Sequence, residues 1–186
     1  MSDARSEPDS VTPAGPVAPE PIAQEVDEIE AFKRFFQRHS AGVAVVTATD
    51  ANRRPVGFTA TSLASLAAVP PLLTFNMARS ASSWPAIEST THVAVHVLDV
   101  RNRALAARLA GPQDLRFDAA DWSFDETYGV PVFAGVPAVV IARVVERFPV
   151  HNNVVLVAHI EAGSLGEDGV GLLYRERRFF GPGEEI

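Results

Sequence analysis

Six runs rich in β-branched and other apolar residues recur along the chain, at 43–49, 72–77, 93–98, 139–145, 154–160 and 172–179. Each has strand length, and Pro, Gly, Asn and Asp mark most of the breaks between them. Long helical patterns do not alternate with these runs, which argues against a doubly wound parallel sheet. The pattern predicts a mainly β chain, an antiparallel barrel with a few short helices at its ends.

The first run leads through the polar stretch Asp50-Ala51-Asn52-Arg53-Arg54-Pro55 into Val56-Gly57-Phe58-Thr59, a β-hairpin signature. Ile29, Phe32, Phe35 and Phe36 recur at three- and four-residue spacing, so 29–38 reads as a short amphipathic helix capping one side of the core. Hydroxyl residues precede Pro85 within 80–88 in the manner of a helix N-terminus. The Ala/Leu repeat of 101–110 stops at Gly111-Pro112, a common helix ending. Pro149, Asn152 and Asn153 are expected to turn the chain between two late strands.

A length of 186 residues suits one domain with a substantial core. Residues 1–30 hold five of the 14 prolines, eight acidic residues, one basic residue and no aromatic. Such a segment buries too little apolar surface to offset its ordering entropy. The expectation is a disordered acidic tail over 1–28 and a single folded domain over 29–186. Beyond residue 30 the 15 acidic and 15 basic residues cancel, so the net charge of -7 resides in residues 1–30.

A neutral body carries no broad basic field, which argues against nucleic acid and against a charged membrane surface as partners. Cysteine is absent, which removes thiolate nucleophiles, iron–sulfur clusters and Cys-based zinc sites. Redox chemistry in this chain therefore needs a bound cofactor. No apolar run approaches the ~20 residues of a membrane-spanning helix, and the first thirty residues carry no signal-peptide core. A cytoplasmic protein is expected.

Two clusters could carry chemistry. Gly57-Phe58-Thr59-Ala60-Thr61-Ser62-Leu63-Ala64-Ser65-Leu66 places small and hydroxyl residues between apolar runs, where a planar ligand can approach the backbone. The same hydroxyls also suit an edge strand and loop that satisfy local backbone groups. Asn76-Met77-Ala78-Arg79-Ser80-Ala81-Ser82-Ser83-Trp84-Pro85 sits at a strand end leading into a helix. Free amides, hydroxyls and one Arg at such a junction suit a phosphate, or else a serine-rich cap with a solvated Arg79. His92 and His96 lie in a strand-like alternation, which separates the rings by ~13 Å and precludes shared metal ligation. No Gly-x-Ser-x-Gly elbow or His-Glu-x-x-His pattern is present, so neither a catalytic triad nor a metal centre is expected.

Taken in order, Gly42 to Thr47, Gly57 to Ser65, Pro70-Pro71-Leu72-Leu73, Ser83-Trp84-Pro85, Val93 to Leu98, Phe117, Trp122 and Leu172-Leu173-Tyr174-Arg175 closely resemble the flavin reductase-like, FMN-binding split-barrel family. The resemblance spans about residues 30–182, and the order of several motifs makes it more specific than any one. It implies a homodimeric antiparallel Greek-key split barrel with flavin near the subunit interface. It also implies an NAD(P)H-dependent flavin reductase that supplies reduced FMN or FAD to a partner monooxygenase. Thr59, Ala60, Thr61 and Ser62 would line the isoalloxazine and ribityl chain, with Ser65 and Leu66 close by. Asn76, Arg79, Ser80 and Ser83 would hold the phosphate end.

Two departures stand out. Where many family reductases carry Gly-Asp-His, this chain reads His151-Asn152-Asn153, so the nicotinamide-side residue is either His151 or Asn153. The usual Asn near position 96 is His96. Hydride transfer from NADH or NADPH to flavin needs stacked rings and no protein nucleophile, so no catalytic side chain is assigned. The alternatives are a tightly held FMN acting on another substrate, and a non-catalytic flavin-binding module.

Overall fold

The computed structural model describes residues 27–119 and 121–183. The expected acidic tail lies outside the described residues except for its last two positions. In chain order the elements are α1 (Glu28–Arg38), β1 (Ala41–Gly42), β2 (Ala44–Thr49), β3 (Pro55–Ala60), β4 (Ala64–Ala67), β5 (Leu72–Ala78), α2 (Trp84–Ser89) and β6 (His92–Val97). They continue as α3 (Arg103–Ala110), β7 (Trp122–Phe124), β8 (Pro131–Phe133), β9 (Ala138–Val150), β10 (Asn153–Leu165), β11 (Leu173–Arg175) and β12 (Arg178–Phe180). The chain is mainly β with few helices, as the sequence pattern predicts.

Seven strands form one antiparallel sheet in the order β3-β2-β6-β9-β10-β5-β4. The β2–β3 hairpin turns where the polar stretch predicts, because the Asp50 carboxylate accepts hydrogen bonds from the Asn52 and Arg54 amides at 2.8 Å. The sheet curls strongly. Phe58 of β3 and Phe75 of β5, from opposite ends of the ladder, meet with ring centroids 6.2 Å apart.

Between them lies a core of Val46, Val93, Val95, Leu156 and Phe75, closed at one end by Trp84 and Ile87 of α2. A second core packs on the opposite face of β2, where Val43 and Val45 meet Leu105 and Leu109 of α3 and Phe133 of β8. Both faces of β2 are therefore buried. That explains why its sequence reads as a continuous apolar run instead of an alternation. Gly57 lets α3 approach β3, since an added Cβ would lie 3.1 Å from side-chain atoms of Leu109, Phe117 and Thr47.

Four details depart from the sequence expectation. The run 172–179 is not one strand but the hairpin β11–β12, turning at Glu176 and Arg177 with φ of 51° and 60°. Its polar centre, Arg175 to Arg178, is the turn. Pro149 lies within β9 opposite Val154, not in the turn. It is tolerated because the pairing of β9 with β6 ends at Arg143, so β10 alone borders β9 there. The segments β4, β7 and β8 form short strands that no long apolar run announces.

Finally, α1 does not cap the core. None of its residues is buried, and Ile29, Phe32, Phe35 and Phe36 are more than half exposed. Periodicity establishes that a helix has an apolar face; it does not establish what covers that face.

Candidate functional site

A groove of about 1110 Å³ separates α1 from the sheet. Its sheet-side wall consists of Thr61, Ser62 and Leu63 from the β3–β4 connection, Ala64 at the start of β4, Asn76 of β5, Val150 of β9, and Asn153 and Val155 of β10. The opposite wall is Phe32, Lys33 and Phe36 of α1, joined by Tyr174 and the Arg175-Glu176-Arg177 turn. The Glu176 amide donates to the Gln37 carbonyl at 3.1 Å, and β1 pairs with β11, so the helix and the turn form one unit.

The sheet-side wall owes its shape to an early end of the β4–β5 ladder. Regular pairing covers Leu72, Leu73 and Thr74, which leaves the outer amide and carbonyl of Asn76 without a strand partner. The Ser62 hydroxyl replaces that strand. It accepts from the Asn76 amide at 3.0 Å and donates to the Asn76 carbonyl at 3.1 Å. One hydroxyl lone pair on Ser62 is thus unspent. Among the described residues, the Thr61 hydroxyl and the amide side chains of Asn76 and Asn153 have no protein hydrogen-bond partner. The wall therefore offers mixed donors and acceptors beside apolar Leu63 and Ala64.

The other residues singled out from sequence fall into three places. Arg79 and Ser80 brace the β9–β10 turn: the Arg79 amide donates to the Asn152 carbonyl at 2.8 Å, and the Asn152 side-chain amide donates to Ser80 Oγ at 3.4 Å. That turn carries His151, exposed and at φ 50°. Ser65 and Leu66 sit on the exposed edge strand β4, outside the groove lining.

Thr59, Ala60 and Ser83 face inward. The Thr59 hydroxyl donates to the Ala106 carbonyl of α3 at 2.6 Å, and Ala60 belongs to the core. Ser83 is 1% exposed. Its hydroxyl donates to the Gly57 carbonyl at 3.2 Å and accepts from Arg116 Nη1 at 2.9 Å. Arg116 also donates to the Gly57 carbonyl at 2.9 Å, which fixes the start of the 57–66 segment. In this structure Ser83 is a buried strut below the site, not a wall of it. Of the two nicotinamide-side alternatives, Asn153 lines the groove and His151 does not.

His92 and His96 share no partner. His92 Nε2 lies 3.1 Å from Glu161 Oε2. His96 Nδ1 lies 3.1 Å from the Val45 carbonyl, and its Nε2 accepts from the Phe133 amide at 3.1 Å. Those contacts require the neutral Nδ1–H tautomer, and burial pushes the imidazole pKa down to about 4. His96 thereby fastens β8 across the outer face of the sheet.

Sequence reasoning missed the whole α1 side of the groove. Lys33, Phe36 and Arg177 show no local motif, and a gap of more than a hundred residues separates α1 from the β11–β12 turn. The one available signal is the Arg-rich interruption of an apolar run at 175–178.

The chain is similar to known proteins over most of its length. A family model described as a flavin reductase like domain matches residues 36–183. An NADH:FMN oxidoreductase of Rhodococcus erythropolis is 35% identical over 156 residues, 81% of this chain and 80% of that protein. A stachydrine N-demethylase reductase subunit of Rhizobium meliloti is 31% identical over 159 residues, 85% of this chain and 68% of that protein. The crystal structure of a flavin reductase domain protein from Arthrobacter sp. FB24 has a TM-score of 0.81 at 44% identity, covering 85% of this chain and 98% of that one.

Proposed function

This chain belongs to the flavin reductase-like family, and on that premise we propose that it is an NAD(P)H-dependent flavin reductase that supplies reduced FMN or FAD to a partner monooxygenase. The observation that carries the reading is the groove. It gathers Thr61, Ser62, Asn76 and Asn153 from three separate stretches of chain beside apolar Leu63 and Ala64. An isoalloxazine has the matching character, an apolar ring system with a pyrimidine edge that alternates donors and acceptors.

A flavin held in the groove would supply the hydride acceptor. The protein's own task is positional. Thr61, Ser62, Asn76 and Asn153 orient the polar edge of the ring, while Leu63 and Ala64 allow close approach to its face. Phe32 and Phe36 line the helix side of the groove. Arg79 and Ser80 act at one remove, by holding the turn that places Asn153.

The partner oxygenase is supported by the relative named as the reductase subunit of an N-demethylase. A homodimer is supported by the exposed aromatic face of α1. Among the described residues no helix is long and apolar enough to cross a membrane, and we place the protein in the cytoplasm, where nicotinamide dinucleotides are abundant.

The direct test is steady-state oxidation of NADH and NADPH by the purified chain with FMN and with FAD, followed by loss of nicotinamide absorbance. Flavin-stimulated oxidation with at least one pair is expected. Absence of any flavin-dependent rate across all four pairs would overturn the reading.

A further inference from the structure

The helix-side wall of the groove carries an excess of basic side chains. Glu30 and Glu176 are the carboxylates on it, and each is already paired: Arg34 Nε lies 2.7 Å from Glu30, and Arg175 Nη2 lies 3.3 Å from Glu176. Lys33 and Arg177 line the same groove, and among the described residues neither has a carboxylate within 4.0 Å. The wall's basic side chains Lys33, Arg34, Arg175 and Arg177 thus outnumber its carboxylates, Glu30 and Glu176, by two.

Their placement carries a backbone cost. Arg177 occupies a turn position at φ 60°, where glycine is the unstrained residue.

We propose that Lys33 and Arg177 clamp the pyrophosphate of a dinucleotide lying along the α1 side of the groove. This deepens the flavin reductase reading, and rests on it for the identity of the second ligand. A pyrophosphate carries two negative charges at neutral pH, which match the two unpaired cations. Nicotinamide dinucleotide and FAD both contain that group, so the shared chemistry is the ADP-linked diphosphate. An approach from the α1 side leaves the neutral wall of Thr61, Ser62, Asn76 and Asn153 to the isoalloxazine.

The test uses Lys33→Gln, Arg177→Gly and the double variant. Arg177→Gly removes the charge while relieving the positive-φ strain, so a loss of binding cannot be ascribed to a destabilised turn. ADP-ribose, which carries the diphosphate without nicotinamide, is titrated into the flavin-free full-length protein by calorimetry. FMN and FAD affinities are read from flavin fluorescence. Kinetics are measured with FMN as acceptor, using NADH and, separately, dihydronicotinamide riboside, which has no phosphate.

Each substitution is expected to weaken ADP-ribose about fivefold, as for exposed charge pairs. KM for NADH should rise in parallel with little change in kcat. FMN affinity and turnover of dihydronicotinamide riboside should stay at wild-type values. A drop in FAD affinity without one in FMN affinity, at unchanged KM for NADH, supports the clamp with flavin as the source of the diphosphate. Unchanged ADP-ribose, NADH and FAD binding overturns it, as does an equal loss of FMN affinity, which assigns the cations to the flavin phosphate. If the wild-type protein binds ADP-ribose through these residues yet binds no flavin, the clamp stands and the flavin reductase reading falls.

Discussion

His96 has no exposed surface and both ring nitrogens committed, one to the Val45 carbonyl and one to the Phe133 amide. Protonation would put a second N–H against the Phe133 amide, so the fold holds the neutral ring. With the folded pKa near 4 and the unfolded value near 6.5, the associated stability is complete above about pH 6.5 and drains away as pH falls toward 4. At pH 4.5 the loss is on the order of 2 kcal/mol. Urea unfolding at pH 7.5 and 4.5 checks this: the wild type should lose about that much more between the two pH values than His96→Asn. Equal losses would show that His96 does not carry the acid sensitivity. The serines give a second lesson at this scale. Ser62 and Ser83 are equally plausible ligands by composition, yet one hydroxyl completes an unfinished ladder at the groove and the other is sealed between Gly57 and Arg116.

Among the elements, α1 is the one whose folding separates from the rest. It buries no residue, and its start is held by Asp27, whose carboxylate accepts from the Ile29 and Glu30 amides at 3.0 Å. Removing that cap in Asp27→Ala should cost the helix about 1 kcal/mol. Because the core does not depend on α1, the opening is local. Amide hydrogen exchange should speed up at Ala31 and its helical neighbours while the midpoint of global unfolding stays in place. KM for NADH should rise with it, since α1 presents Lys33. The same element shows where sequence reading stops. The spacing of Ile29, Phe32 and Phe36 identifies the helix to within one residue of its observed start, yet the expected packing against the core is not what that face does.

For the molecule as a whole, the exposed apolar side chains are not scattered evenly. Ile29 and Phe35 are each 66% exposed on α1, beside the groove and not inside the core. In the proposed homodimer a second copy of the chain would cover this face. Light scattering should give the mass of two chains at neutral pH. Phe35→Asp, which lies outside the groove lining, should shift the population toward one chain while leaving the sheet's circular dichroism unchanged; a monomeric wild type would remove the homodimer from the proposed function.

The amino-acid order by itself determined the mainly β class, the strands β2, β5, β6, β9 and β10, the β2–β3 turn and the neutral body, while Thr61, Ser62, Asn76 and Asn153 entered through the family resemblance. The strands and the turn are properties of period and local turn chemistry, which a short window of residues contains. Only the tertiary structure decided that Thr59 and Ser83 point inward, that 172–179 folds back on itself, and that Lys33 and Arg177 share a wall. Those outcomes depend on pairings between residues tens to more than a hundred positions apart. No local pattern encodes such meetings, because the curl of the sheet sets which side chains end on its inside, its outside or its rim.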